Sequence, residues 1–324
     1  MRAVQAQALN SVADYQLVDL PTPEPGPGEV RIKVAACGVG YVDALVSLGR
    51  YQVKPPVPHI PGGEAAGVVD AVGEGVTGLA PGDRVMAQVG GGFAEYAVAR
   101  AAAVAKIPDA MAFEAACGFR INYVTALHGL RDRGAIQPGE RLLVSGAAGG
   151  VGAAAVQLGK ILGAQVIACA SSDEKRAFAQ ALGADLTIDT APDGWRERLK
   201  VLAEGKGVDV YFDPVCGPLF ELAFRSMAWG GRHLVVGFVG GPIPALPANL
   251  TLMKGAALMG VDVRQFMLFE GRKAQAYLTE LLGWVGEGRL KPSVGRVFAF
   301  DDFAPALEFA LSGQGLGKTV LSVG

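Results

Sequence analysis

The chain has 324 residues, of which 51% are hydrophobic and 19% charged, with 29 Lys and Arg against 31 Asp and Glu. This length favours two domains, and so much apolar material excludes a disordered chain. The nearly balanced charge, formally −2, argues against a nucleic-acid partner and against a polybasic membrane-binding surface. No apolar run reaches the roughly 18 residues that a membrane span requires, so no membrane span is expected.

Glycine and cysteine usage narrow the class further. Gly occurs 46 times, about twice its usual share, which indicates many tight turns or backbone brought close to a ligand. The four cysteines form no Cys-x-x-Cys pair, and in a chain this long they are expected to be reduced thiols. The first residues lack the apolar stretch of a signal peptide. We therefore expect a cytoplasmic protein.

The first third of the chain is typical of a β-rich domain. Short segments alternate with period two or are rich in apolar residues, and Pro and Gly separate them. Strands are predicted at 30–34, 67–72, 82–87 and 93–98. Short strands spaced in this way indicate a small, barrel-like antiparallel fold.

From about residue 140 to residue 262, strands alternate with helices. Strands are predicted at 141–145, 165–170, 208–213, 231–237 and 257–261. Helices are predicted after the glycine-rich turn through residue 162, over 173–182 and over about 219–227. Continuous apolar strands alternating with helices indicate a parallel sheet covered on both faces, a doubly wound domain. Beyond it we predict an amphipathic helix over 265–286, a loop and strand over 289–300, a helix over 303–312 and a strand over 319–321.

The clearest motif is the glycine-rich run Ser145-Gly146-Ala147-Ala148-Gly149-Gly150-Val151-Gly152. It follows a predicted strand and opens a predicted helix, which is the context that a dinucleotide site requires. Gly149 and Gly150 would let the backbone approach a pyrophosphate, and Gly152 would let the helix pack on the strand. The strict pattern has Gly where Ala147 stands. The run alone would also fit a purely structural turn, but within the βαβ pattern it predicts a nucleotide site.

The end of the next strand indicates which dinucleotide binds. An NAD site places an Asp or Glu there for the ribose hydroxyls, whereas this chain has Cys169 and Ala170 followed by Ser171 and Ser172. Lys175 and its cationic neighbour Arg176 come one turn later and suit a 2′-phosphate. Asp173 and Glu174 argue the other way, although their alternative role is to stabilise a helix N-terminus. We predict NADPH rather than NADH.

Several further motifs give the chain a family resemblance. They are Gly28-Glu29-Val30, Cys37-Gly38-Val39 with Asp43, the run 61–69 followed by 82–85, the run 148–152, the run 182–185, Gly230-Gly231-Arg232 and Gly317-Lys318. In these segments the chain resembles the zinc-free quinone oxidoreductases of the medium-chain dehydrogenase/reductase superfamily. The resemblance covers nearly the whole chain. It implies a GroES-like β-rich catalytic domain at 1–120 and 264–324, a Rossmann domain at 121–263, and a site in the cleft between them.

The resemblance also bears on metal binding. The alcohol dehydrogenases of the superfamily hold a catalytic zinc with a Cys and a His that would fall at Gly40 and Gly63. Glycine offers no side-chain ligand, so no metal is expected.

Site residues follow from the resemblance residue by residue. Tyr51 would lie beside the nicotinamide and donate to the developing oxyanion, unless it is an interface Tyr bonded to backbone. Tyr41 would compensate for an Asn of the family that is Gly40 here, unless it is a core aromatic. Thr125 would touch the nicotinamide or its ribose, unless its hydroxyl bonds its own helix. Thr190 stands where the family often has an aromatic residue or His near the adenosine phosphate. The full set of predicted cofactor contacts is Tyr51, Thr125, Ala148, Gly149, Gly150, Val151, Ser171, Lys175, Thr190, Gly237, Phe238, Val263 and Lys318.

The implied reaction is NADPH-dependent reduction of a quinone by hydride transfer, without zinc. Reduction of an enone or an enoyl thioester stays open, because both reactions share the hydride donor and the fold. A third possibility is an NADPH-binding structural protein without relevant turnover. A homodimer is expected through the sheet edge near residues 257–263, since an exposed apolar edge tends to be paired.

Overall fold

The computed structural model describes all 324 residues, and the chain forms two compact units. The first unit comprises Met1–Arg120 and Pro292–Gly324, and the second comprises Ile121–Lys291. Among the helices, none combines the length and the apolar character needed to cross a bilayer.

Fifteen strands and eleven α-helices make up the two units. The strands are β1 (Arg2–Ala6), β2 (Tyr15–Asp19), β3 (Glu29–Val39), β4 (Glu64–Val72), β5 (Arg84–Gln88), β6 (Tyr96–Arg100), β7 (Val104–Lys106), β8 (Arg141–Ser145), β9 (Gln165–Cys169), β10 (Leu186–Ile188), β11 (Val208–Asp213), β12 (Met227–Val235), β13 (Ala257–Gly260), β14 (Val294–Ala299) and β15 (Lys318–Ser322). The helices are α1 (Tyr41–Ser47), α2 (Phe113–Ala116), α3 (Phe119–Leu127), α4 (Gly150–Ile161), α5 (Asp173–Ala181), α6 (Trp195–Leu202), α7 (Phe220–Arg225), α8 (Asn249–Lys254), α9 (Val263–Phe269), α10 (Gly271–Gly286) and α11 (Phe303–Ser312). A π-helical segment, His128–Arg133, continues α3.

The first unit is built on a seven-stranded sheet. Its order is β14-β15-β3-β4-β5-β7, with β6 also paired to β3, and all pairs except β14–β15 are antiparallel. Along β3 the side chains of Val30, Ile32 and Val34 are buried while Lys33 is exposed, the two-residue alternation of a strand with one buried face. This periodicity explains why the sequence predicts the strand.

The second unit contains a six-stranded, wholly parallel sheet. Its order is β10-β9-β8-β11-β12-β13. The chain runs outward from β8 in one direction and from β11 in the other, so the order reverses between these two neighbours. In doubly wound sheets, ligands bind outside the carboxyl ends of the strands at this reversal. The prediction of a doubly wound domain is confirmed, and β8 and β11 match their predicted bounds.

The second unit also includes residues 264–291, whereas the sequence predicts that the chain returns to the first domain at residue 264. The reason is a set of contacts between α10 and the π-helical segment: Arg131 pairs with Glu280 at 2.6 and 2.9 Å, and the Tyr277 hydroxyl donates to Asp132 at 2.6 Å. In addition, Phe266 of α9 stacks on His128 at 3.9 Å. The chain therefore returns to the first unit at Pro292, later than the boundary predicted at residue 264.

The helix predicted over 265–286 is likewise two helices. Between α9 and α10 the backbone of Glu270 leaves the helical region, with φ −124° and ψ 39°. An amphipathic pattern continues through such a break because both helices bury one face.

Candidate functional site

The glycine-rich turn joins β8 directly to α4. Gly149 is the residue before the helix, and no side chain caps the helix N-terminus. The first N–H groups of a helix have no partner within it, and the helix dipole adds positive potential there. An uncapped N-terminus at the reversal of the strand order is therefore an anion-binding arrangement.

Two glycines of this turn are needed by the protein itself. Gly146 has φ +56°, the left-handed region that favours glycine. A Cβ on Gly152 would lie 2.1 Å from the carbonyl oxygen of Gly146, so only glycine lets α4 approach the strand end so closely. A Cβ on Gly149 would lie 3.5 Å from that same oxygen, an ordinary contact. The protein therefore leaves space at Gly149.

Other predicted cofactor residues of the second unit follow the carboxyl ends of its strands. Ser171 and Lys175 follow β9, Thr190 follows β10, Gly237 and Phe238 follow β12, and Val263 follows β13. Because these strands are parallel neighbours, the sheet places all of these residues along one edge. The Lys175 Nζ lies 3.2 Å from the Ser171 Oγ.

The two cations near the end of β9 have different partners. Arg176 donates to the carbonyl oxygen of Ala170 at 2.9 Å and pairs with Asp173, so its guanidinium is used to hold the strand end. Lys175 stands beside Ser171 instead, which makes it the better candidate for a phosphate contact.

Thr125 lies on α3, buried, and its hydroxyl donates to the carbonyl oxygen of Ile121 at 2.5 Å. A hydrogen bond within its own helix is the alternative role that the sequence allows for Thr125. The proton is used, so Thr125 can only accept a hydrogen bond from a ligand in this conformation. Asn122, one turn earlier, lies against the glycine-rich turn, because a Cβ on Gly150 would come within 2.7 Å of its Nδ2.

The two candidate tyrosines belong to the first unit. Tyr41 is the first residue of α1, and Tyr51 lies in the irregular segment that follows that helix. Both side chains are half-buried.

Lys318, at the start of β15, lies in a channel lined by glycine. A Cβ on Gly38 would come 2.7 Å from Lys318 Cε, and one on Gly118 would come 2.4 Å from its Cγ. The ammonium ends 3.7 Å from Glu64 Oε2, with only 15% of the side chain exposed. Burial alone would lower the pKa of Lys318, but the negative charges of Glu64 and Asp43 outweigh burial and raise it. Lys318 therefore carries a positive charge inside the first unit.

Glycine occupies both positions at which the alcohol dehydrogenases of the superfamily have a zinc ligand, Gly40 and Gly63. The N–H of Gly40 donates to Asp43 Oδ2 at 2.8 Å, and a Cβ there would lie 3.5 Å from Lys318 Nζ. Around Gly63 a Cβ would meet nothing within 4 Å. No group of three or more His, Cys, Asp or Glu side chains is arranged to hold a metal ion. All four cysteines are free and buried, and burial raises the pKa of the Cys37 and Cys117 thiols.

Sequence reasoning missed one cluster at this edge. Ser145 and Asp213 are the last residues of β8 and β11, and they hydrogen-bond to each other; His233 Nε2 lies 3.1 Å from Asp213 Oδ2. Burial alone would raise the pKa of Asp213, yet the bonds from His233, Ser145 and the Cys216 N–H outweigh it and hold the pKa below its ordinary value. No local pattern links residues 68 positions apart; the one available signal was a polar residue closing each of two apolar strands.

Comparisons with known proteins agree with this architecture. One family model, described as the alcohol dehydrogenase GroES-like domain, matches residues 26–109, and another, described as zinc-binding dehydrogenase, matches residues 150–279. A quinone oxidoreductase-like protein 2 homolog of Nematostella vectensis is 36% identical over 301 residues, 92% of this chain and 82% of the relative.

Solved structures extend the likeness to three dimensions. One described as an NAD-dependent alcohol dehydrogenase matches with a TM-score of 0.92 at 33% identity over 100% of both chains. Escherichia coli quinone oxidoreductase complexed with NADPH matches with a TM-score of 0.90 at 26% identity over 100% of both chains. The CurK enoyl reductase matches with a TM-score of 0.90 at 26% identity over 99% of this chain and 98% of that one. The chain therefore belongs to the quinone oxidoreductase family of the medium-chain dehydrogenase/reductase superfamily.

Proposed function

We propose that this oxidoreductase reduces a quinone with NADPH by hydride transfer and needs no metal. The observation that carries the proposal is the turn between β8 and α4. It presents an uncapped helix N-terminus and an unobstructed Gly149 at the point where the strand order reverses. A pyrophosphate fits this turn because backbone N–H groups and the helix dipole both favour an anion.

The end of β9 supports NADPH over NADH. Cys169 and Ala170 stand where an NAD site has an acidic residue, and Lys175 lies beside Ser171. A hydroxyl and an ammonium suit a phosphate, which accepts hydrogen bonds and is negatively charged. The relative solved with NADPH agrees with this choice, whereas the relative described as NAD-dependent favours the rival cofactor.

NADPH, when bound, supplies the hydride, and the protein supplies orientation and hydrogen bonds. We assign Tyr51 as the donor to the acceptor oxygen, because the family resemblance implies that it lies beside the nicotinamide, and its side chain is only half-buried. Tyr41 is a second donor for the same oxygen. Thr125 accepts a hydrogen bond from the nicotinamide or its ribose, because its own hydroxyl already donates to the carbonyl oxygen of Ile121.

The remaining proposed cofactor contacts keep the assignments made from the sequence. They are Ala148, Gly149, Gly150, Val151, Ser171, Lys175, Thr190, Gly237, Phe238, Val263 and Lys318. Lys318 is the least supported of them, because its ammonium is already paired with Glu64 inside the first unit.

Independence from metal is supported by the residues at positions 40 and 63. Both are glycine and offer neither nitrogen nor sulfur to a zinc ion. The Lys318 ammonium lies beside Gly40 and supplies a positive charge there. A quinone is already electrophilic, so its reduction requires orientation and a donor for the developing oxyanion rather than a Lewis acid.

Reduction of an enone or enoyl thioester is the second candidate. It is favoured by the structural likeness to an enoyl reductase, and it would use the same cofactor residues. A structural protein that binds NADPH without turnover is the candidate from another class. We further propose a small-molecule acceptor and a homodimer formed through β13, the edge strand of the parallel sheet.

The experiment that tests the proposal compares acceptors at steady state. Protein freed of metal by chelation is assayed for NADPH oxidation with benzoquinone and with a short enoyl-CoA, and NADH replaces NADPH in a control. Turnover with benzoquinone that prefers NADPH supports the proposal. Turnover with the enoyl-CoA alone assigns a double-bond reductase, and NADPH binding without turnover of either acceptor supports the structural role.

A further inference from the structure

One buried carboxylate lies where three strands of the parallel sheet end. Asp213 closes β11, Ser145 closes β8, and His233 lies near the end of β12. Because β8 and β11 are the neighbours between which the strand order reverses, the hydrogen bond from Ser145 to Asp213 spans that reversal. The cluster therefore lies directly beneath the glycine-rich turn that begins at Gly146.

Both carboxylate oxygens of Asp213 have hydrogen-bond partners. Its Oδ1 accepts from the Ser145 hydroxyl, from the Val215 N–H at 3.0 Å and from the Cys216 N–H at 2.9 Å, and its Oδ2 faces His233 Nε2 at 3.1 Å. The side chains of Asp213 and His233 are both 0% exposed. Placing a charge in such a site is costly unless several donors surround it, so the four contacts fix the position of the carboxylate.

His233 has no other polar contact. Its ring packs on Tyr211 at 4.5 Å and on Phe220 at 4.6 Å, and its Nδ1 is buried without a hydrogen-bond partner. The bond to Asp213 therefore sets the orientation of the ring and ties β12 to β11.

The bonds from Val215 and Cys216 hold a tight turn after β11. Cys216 has φ +46°, a conformation that costs free energy in a residue other than glycine. Neighbouring segments rest on this turn: a Cβ on Gly146 would lie 3.1 Å from Val215 Cγ2, and the Gly240 N–H donates to the Val215 carbonyl oxygen at 2.8 Å. A displacement of this turn would therefore also displace the loops that contain Gly149 and Gly237.

From these contacts we infer that Asp213 is a positioning residue for the nucleotide site: its carboxylate holds the strand ends so that the turns around Gly149 and Gly237 present their backbones to NADPH. The inference rests on the proposed function, because NADPH is the ligand. Asp213 would not touch the cofactor itself and would act through the loops.

The test is NADPH binding and unfolding in Asp213→Asn, with a control at the opposite end of the same strands. The amide keeps the size of the side chain but offers His233 a donor where it had an acceptor. We expect the folded variant to bind NADPH more weakly, on the order of tenfold by fluorescence titration. The KM for NADPH rises while kcat at saturating NADPH changes less. Ser145→Ala, which removes one donor and leaves three, serves as a milder variant with a smaller effect of the same kind.

The matched control is Asp209→Asn. Asp209 accepts from the Arg141 backbone N–H at 2.8 Å and from its Nε at 3.0 Å, so it joins the same two strands at their amino ends. This variant should lose stability and keep wild-type affinity for NADPH. Wild-type affinity in folded Asp213→Asn and Ser145→Ala, or an equal loss in Asp209→Asn, would overturn the inference. Failure of the wild-type protein to bind NADPH would instead overturn the proposed function and, with it, this role.

Discussion

The glycines of the turn after β8 are constrained for different physical reasons. At Gly152 an added Cβ would meet a backbone oxygen at 2.1 Å, which no rotation of a side chain can relieve. At Gly149 the protein leaves room for a Cβ, so any need for glycine there must come from a ligand. The sequence pattern predicts both positions, but only the structure separates their roles.

Substituting alanine at each position tests this difference. Gly149→Ala should change the free energy of unfolding by less than about 1 kcal/mol, and it should weaken NADPH binding because a methyl group would stand between the backbone and the pyrophosphate. Gly152→Ala should lower both stability and NADPH affinity. Urea unfolding and fluorescence titration measure the two effects. If Gly149→Ala binds NADPH as the wild type does, the pyrophosphate does not lie against this residue.

Lys175 should determine which nicotinamide cofactor is preferred. Its ammonium lies beside the Ser171 hydroxyl, and a hydrogen bond between charged groups contributes about 1.5–3 kcal/mol. Lys175→Ala should therefore weaken NADPH binding by roughly tenfold to a hundredfold and leave NADH binding nearly unchanged. Lys200→Ala, which removes the same charge from an exposed position of α6, is the control. Equal losses for both cofactors would show that Lys175 does not read the 2′-phosphate.

The periodicity of residues 265–286 predicts an amphipathic helix, but it does not predict the segment against which α10 packs. The apolar stripe of residues 265–286 shows only that one face is buried. The polar contacts that attach it to the second unit, from Tyr277 and Lys273 to Asp132, join residues more than a hundred positions apart and leave no local signal. The elements α1, β10 and α6 are not among those predicted from the sequence.

Asp132 should make the attachment of α10 sensitive to acid. Burial alone would raise its pKa, but the bonds from Lys273, Tyr277 and His128 outweigh burial and lower the pKa from 3.8. A carboxyl with a depressed pKa stabilises the fold fully above its unfolded-state pKa, and this contribution is lost as the pH falls through the lower folded-state pKa.

The corresponding variant is Asp132→Asn. It should be less stable than the wild type near neutral pH, by about 1–3 kcal/mol, and the gap should narrow as the pH falls below about 3.8. Urea unfolding across this pH range measures the gap, with exposed Asp193→Asn as the control. A gap that does not depend on pH would show that the charge of Asp132 does not hold α10.

The sequence predicts five of the six strands of the parallel sheet, all except β10, because buried parallel strands are continuous apolar runs. The second unit ends at Lys291 and the first unit resumes at Pro292, later than the boundary predicted at residue 264. The parallel sheet ends at β13, whose outer edge is unpaired. Apolar side chains are exposed near it, with Trp229 at 85% and Leu252 at 82%.

An unpaired strand edge beside exposed apolar side chains favours pairing with a second copy. We therefore expect a homodimer in which β13 pairs with its counterpart. Leu258→Lys, which places a charge on this edge strand, should shift the protein to the monomer. Light scattering at micromolar concentration measures the mass of both proteins. A monomeric wild type would contradict the dimer.

We propose that NADPH passes a hydride to a quinone on this protein without a metal. The most direct test mixes metal-depleted protein, loaded with NADPH deuterated at the transferred position, with benzoquinone in a single turnover. We predict that NADPH is consumed, that hydroquinone appears in equal amount, and that the deuterium label slows the step. If bound NADPH stays unoxidised until metal is restored, the reaction depends on a metal. If NADPH is oxidised by an enoyl thioester and not by the quinone, the protein is not a quinone reductase.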